Sequence, residues 1–246
     1  MKLALSNLAW NPADEPAAIA LMQKYGFMGV EIAPTKVWPS PQMVSEAELF
    51  QYREHWNGQG IKIAALQSLL YGKPDLLLFD TPDEALLYLS AMTRIADGLG
   101  TNIMVLGSPK NRVGGDFLTA VGFFSIACKL GIPLCIEPNP VQYGCAFINT
   151  TEEAQELVAA VNHPNFRLHL DSGIMTLNGE TEILPDIAHF HISQPYLSPV
   201  GPGTVEHIAM AAALRGINYK GWCSVEMLPC ENLEKSLEYV AGIYGD

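Results

Sequence analysis

The sequence predicts an α/β protein, a single (β/α)8 TIM barrel filling residues 1–246. Three observations carry that reading. Strand-like and helix-like stretches alternate along the whole chain, and strict alternation requires parallel strands. Eight such units fit the length, close to the ~250 residues typical of a closed parallel barrel. The competing doubly wound sheet usually places a glycine-rich phosphate loop after its first strand, and here that turn reads NLAWNPAD, without a glycine.

The elements follow in order. Residues 3–8 form the first strand, and 13–25 a helix with apolar positions at Ala17, Ala20, Leu21 and Tyr25, closed by Gly26. Residues 29–33 (GVEIA) form the second strand, followed by a proline-rich loop from Pro34 to Pro41. Ser45, with Glu48 three residues on, is a capping-box start for a helix running to about Asn57. Residues 61–66 form the third strand, and a long loop leads through Tyr71 to Pro74. Thr81-Pro82-Asp83-Glu84 starts the next helix, with proline in its first turn and acids behind it, which runs to Gly98. Strand four is 102–106 and its helix 116–130. Strand five is 132–137, followed by a threonine-capped helix over 151–161. Strands six, seven and eight are 166–171, 188–193 and 222–227, and the last two helices are 204–215 and 232–244.

Composition bounds the function. Hydrophobic residues make up 49% of the chain and supply a large core. The net charge of −12 argues against nucleic acid or an anionic membrane as partner, since both select basic surfaces. No stretch approaches the ~18 apolar residues of a membrane span. Five cysteines without a C-x-x-C pair point to a reduced, cytoplasmic setting. MKLALSNLAW reads as a first strand rather than a signal peptide.

The chemistry gathers at four strand ends. IPLCIEPNP runs an apolar strand into Glu137; RLHLDSG ends on Asp171, AHFHIS carries His191 and WCSVEM carries Glu226. A carboxylate closing an apolar run is costly unless it has a partner at the strand mouth. In a parallel barrel these ends share one rim, where active sites are built. Three carboxylates converging there repel by about 4 kcal/mol per pair at 4 Å for an effective dielectric near 20. One divalent ion reverses that term, and three oxygen donors with one imidazole suit Mn²⁺, Mg²⁺, Co²⁺ or Zn²⁺.

GVEIAP, CIEPNP, LHLDSG, HFHIS, the GPG loop and YKGWCSVEM together resemble the xylose-isomerase-like barrel superfamily, in particular its ketose 3-epimerase and hydroxypyruvate-isomerase branches. The resemblance implies a metal held by Glu137, Asp171, His191 and Glu226, with Glu137 and Glu226 also acting as acid and base. It implies an isomerase or epimerase of a small sugar-like hydroxy-carbonyl compound, working by proton abstraction and an enediolate. A metal-dependent dehydratase of the inosose or dehydroshikimate type, or a non-catalytic metal-binding relative, are the alternatives on the same fold. Relatives are often homo-oligomers. The apurinic endonucleases of the superfamily use three zinc ions and many more histidines than the six present here.

This chain departs from the epimerase pattern. Ile174 stands where a histidine is usual, Leu197 where an arginine is usual, and Tyr143 where a glutamate is expected. The pocket is therefore expected to be less polar than that of a free-sugar epimerase. Candidate substrate contacts are Asn7 after strand one, Gln67 and Ser68 after strand three, Lys110 and Arg112 as anion holders after strand four, and Asn139 beside Glu137. Glu31, ending strand two, either lines the pocket or pairs with a neighbour. Trp10 and Trp38 are candidates for an apolar wall. His189 is assigned to the face opposite His191, where it either packs or supports the metal ligands from behind.

Overall fold

The computed structural model describes residues 1–245 and shows eight parallel strands in the order β3-β2-β1-β8-β7-β6-β5-β4. The chain runs β1 (Lys2–Ser6), α1 (Glu15–Lys24), β2 (Gly29–Ile32), α2 (Pro34–Val37), α3 (Glu46–Gly58), β3 (Lys62–Leu66), α4 (Pro82–Leu99) and β4 (Val105–Leu106). It continues with α5 (Phe117–Lys129), β5 (Leu134–Ile136), α6 (Thr151–Val161), β6 (Phe166–Asp171), α7 (Ser172–Asn178), β7 (Ile187–Ser193), α8 (His207–Gly216), β8 (Trp222–Glu226) and α9 (Leu233–Tyr244). The two edges of the sheet meet at a parallel bridge between Leu66 and Met104, which nearly closes the barrel.

Local signals act as expected. Ser45 Oγ accepts the Glu48 N–H at 3.3 Å while the Glu48 carboxylate accepts the Ser45 N–H at 2.9 Å, so α3 opens on a complete capping box. Thr150 and Glu153 repeat the device on α6. Leu86, Leu89, Met92, Ala96 and Leu99 fall on the buried side of α4, at helical spacing, and join one core with the barrel strands. Among the described residues, no helix is long and apolar enough to cross a membrane.

Three local differences bear on the site. The sequence expects strand four from residue 102, yet only Val105 and Leu106 pair in ladder fashion with β5, and Met104 before them forms the bridge to Leu66 that closes the barrel. The segment after β6 forms the short helix α7, which Asp171 caps by accepting the Ile174 N–H at 2.7 Å. The proline-rich loop likewise opens on the single turn of α2, with Pro34 in its first turn.

His189 corrects the sequence reading. Side chains alternate across a strand, so positions two apart share a face, and His189 and His191 both point into the barrel with ring centroids 5.3 Å apart. The same period places His169 below Asp171 and Ser224 below Glu226. Register then sets His169 beside His189, Asp171 beside His191 and Ser224 beside His191. The barrel interior under the rim is consequently polar, with Glu31, His169, His189, His191 and Ser224 all buried.

Candidate metal centre

Glu137 lies one residue beyond β5, Asp171 ends β6, His191 lies within β7 and Glu226 ends β8. One ligand atom from each lies within 4.8 Å of all the others. His191 Nδ1 is at the centre, 3.3 Å from Glu226 Oε2, 3.4 Å from Glu137 Oε1 and 3.7 Å from Asp171 Oδ2. The four side chains are buried or nearly so, with Glu226 the most open at 14%.

Each carboxylate is held by a different partner. Glu137 Oε2 accepts from Asn139 Nδ2 at 2.9 Å, and its Oε1 lies 3.1 Å from His169 Nε2. Asp171 Oδ1 accepts from the Ile174 N–H and from Ser193 Oγ, each at 2.7 Å, which leaves Oδ2 facing His191. Glu226 is tied to the site through His191 alone among the ion pairs of the described residues. Gly107, just past β4, runs so close to Glu137 Oε2 that a Cβ there would collide with it.

Electrostatics follow the crowding. Burial, together with the charges of Glu137 and Glu226, pushes the Asp171 carboxyl up to about 7. Burial also raises Glu226, against the pull of His191. Burial acts the same way on Glu137, but His169 and His191 outweigh it and hold that carboxyl well below the usual range. Burial opposes charge on His191, but Glu31, Glu226 and Glu137 outweigh it and hold the ring well above the usual histidine range, so the cluster calls for positive charge. His191 Nδ1 makes no hydrogen bond among the described residues although it faces three carboxylates. That donor set, three oxygens and one free imidazole nitrogen, fits a divalent ion.

The remaining candidates divide. Asn139 and Arg112 both serve Glu137, but Arg112 does so from behind. It is fully buried and donates from Nη1 to the Glu137 carbonyl at 3.0 Å. Lys110 is exposed two residues away, so the two cations expected to act together are separated. Lys110 and Ser68 instead line a hollow of about 460 Å³ between the loops after β3 and β4, along with Tyr71, Lys73 and Ser108. Asn7 spends its side-chain oxygen on the Ala33 N–H at 2.9 Å. Gln67 donates to Ser6 Oγ, and its own Oε1 is buried without a hydrogen bond among the described residues. Trp10 is buried and packs on Trp56, while Trp38 meets Tyr52 edge-on.

Sequence reasoning passed over His169, Ser193 and Ser224, and turned His189 to the wrong face. A signal was present in three of the four. His169, His189 and Ser224 stand two residues before Asp171, His191 and Glu226 respectively, and period two aims them at the same interior.

The model of the xylose isomerase-like TIM barrel family matches residues 19–242 of this sequence. The chain belongs to that family. No curated protein matches the sequence. Among solved structures, a D-psicose 3-epimerase in the presence of D-fructose is similar with a TM-score of 0.77 and 18% identity, over 100% of both chains. The IolI protein with a bound zinc atom aligns with a TM-score of 0.72 and 22% identity, over 99% of this chain and 95% of that one. AsbF from Bacillus anthracis, a probable 3-DHS dehydratase, aligns with a TM-score of 0.72 and 16% identity, over 100% and 99%. At these identities the likeness establishes the fold. In this member of the xylose isomerase-like family, the four converging side chains sit at the barrel rim where the fold builds its active sites.

Proposed function

We propose that the protein is a divalent-metal-dependent isomerase or epimerase of a small sugar-like hydroxy-carbonyl compound. One observation carries the reading: Glu137 and Glu226 approach the same imidazole nitrogen, at 3.4 and 3.3 Å, from strands separated by β6 and β7. Glu137, Asp171, His191 and Glu226 would hold the ion. Bound there, it would supply Lewis-acid stabilisation of negative charge developing on substrate oxygens. The similarity of the fold to sugar epimerases and to IolI supports a carbohydrate-like substrate.

The chain's own residues divide the proton work. Glu226, the most open of the four, is positioned to take a proton from a carbon beside a carbonyl. Glu137, which arrives from the end of β5 rather than β8, would return one. Asn139 occupies one oxygen of Glu137 and fixes the direction of the other. Ile174 is buried and replaces a polar contact with an apolar one, so free ketohexoses should be poor substrates. A compound that is deoxy, cyclic or carries an anionic group toward Lys110 suits the site better.

The test is solvent deuterium wash-in across a panel of ketoses, inososes and their phosphates, with Mn²⁺, Mg²⁺, Co²⁺ or Zn²⁺ added. Wild type should exchange with at least one compound. Glu137→Gln and Glu226→Gln should each retain some metal and lose turnover by about 10²–10⁴-fold, the range of general acid–base groups. Near-wild-type turnover in either variant would exclude the two-glutamate mechanism. Exchange accompanied by loss of water would assign the protein as a dehydratase instead.

A further inference from the structure

We infer that Glu31 is a positioning residue that decides which nitrogen of His191 faces the metal. Glu31 is the last residue but one of β2, and β1 and β8 lie between β2 and β7 in the sheet. Its carboxylate nevertheless reaches His191, so the contact crosses the barrel interior. His191 Nε2 lies 3.1 Å from Glu31 Oε1 and 3.0 Å from Oε2. An ionised carboxylate only accepts hydrogen bonds, so the one proton that a metal-bound ring keeps belongs on Nε2. The lone pair is then on Nδ1, the nitrogen 3.3–3.7 Å from Glu226, Glu137 and Asp171.

The carboxylate is itself clamped. His189 Nε2 lies 3.3 Å from Glu31 Oε1 and 3.1 Å from Ser224 Oγ, so a second imidazole keeps the carboxylate from turning away. Glu31 is fully buried, and among the described residues its ion-pair partners are these two histidines, with no lysine or arginine. Burying a carboxylate costs several kcal/mol in solvation. An amide of the same size would avoid that cost and keep the packing. What the carboxylate alone provides is an acceptor at both oxygens. An amide can turn its NH2 toward Nε2, which moves the ring proton to Nδ1 and blocks the metal-facing lone pair. Outer carboxylates of this kind orient metal-bound histidines and raise their basicity.

The inference rests on the metal half of the proposed function and needs no turnover. The first measurement is a long-range ¹H–¹⁵N correlation on ¹⁵N-histidine-labelled wild type loaded with Zn²⁺. His191 should carry its proton on Nε2 and show a metal-shifted Nδ1. The reverse assignment, or no Zn²⁺ effect on His191, would overturn the inference whether or not any variant folds. The second is Zn²⁺ affinity by chelator competition for Glu31→Gln and Glu31→Ala, with circular dichroism as a folding control. A loss of about 10–100-fold is expected. A folded variant binding Zn²⁺ within twofold of wild type would overturn it. Zn²⁺ held through Nδ1 without exchange of any sugar would sink the isomerase reading and leave this one standing. Zn²⁺ held through Nε2 with sugar turnover would do the opposite.

Discussion

Arg112 donates from Nη1 to the main-chain carbonyl of Glu137 at 3.0 Å and is fully buried as it does so. The residue that supplies the strand-five ligand is thereby fixed from behind by a cation on the loop after β4. Burial lowers the Arg112 pKa, and the nearby Cys145 and Glu137 offset it.

Removing that side chain opens a large cavity and leaves the carbonyl with only its longer side-chain hydrogen bond, from Asn139 Nδ2 at 3.2 Å. Arg112→Ala should cost about 3 kcal/mol of stability, within the range for large-to-small core changes. Arg112→Met keeps most of the volume and removes a costly buried charge, so it should lose less than half as much. Urea melts of the two variants check this; equal losses would show that charge, not volume, is what the position needs.

Gly107 makes a sharper test of the site. The Cβ of Gly107→Ala would fall on Glu137 Oε2, the mobile end of a side chain, rather than on backbone. The fold should accommodate it within about 1 kcal/mol, as surface and loop changes usually do. The displaced carboxylate should weaken divalent-metal binding by about tenfold or more. Chelator competition read beside the melting temperature checks this, and unchanged affinity would show that the ion does not depend on where the Glu137 carboxylate is held.

His207 sets a pH dependence of stability away from the site. Its ring is buried against Tyr239 and Tyr244, with Nδ1 3.0 Å from the Tyr244 hydroxyl, and burial pushes it down to about 4. An unfolded histidine titrates near 6.5. Between those values the unfolded chain binds a proton that the folded chain refuses, so stability rises with pH across that window. The contribution is intact above about pH 6.5 and falls away toward pH 4, by on the order of 2–3 kcal/mol. His207→Gln should be less stable than wild type at pH 7 and narrow the gap as the pH is lowered to 5. A gap that stays constant in urea melts across that range would remove His207 as the cause.

The sequence by itself determined the alternation that makes the barrel, the caps of α3 and α6, and the four strand ends carrying Glu137, Asp171, His191 and Glu226. These are local properties: apolar period, capping chemistry and the cost of a carboxylate closing a buried strand are all legible within a few residues. Period two also held the placement of His169, His189 and Ser224 beneath the ligands, which a mistaken face for His189 concealed.

Tertiary structure alone decided which side chains meet. Glu31 and His191 are 160 positions apart and on strands that do not pair, so their contact depends on how far the sheet curls before Leu66 reaches Met104. Arg112 and Lys110 belong to one short loop, yet one is sealed behind Glu137 and the other left in water. A 3₁₀ turn over Pro109–Asn111 carries Lys110 and is tied through Asn111 to the Lys73 and Leu76 carbonyls of the loop after β3, while Arg112 just beyond it donates to the Glu137 carbonyl. Strand period gives the face on which a residue lies, but barrel closure chooses its partner across the interior, and the path of a loop depends on what lies beneath it.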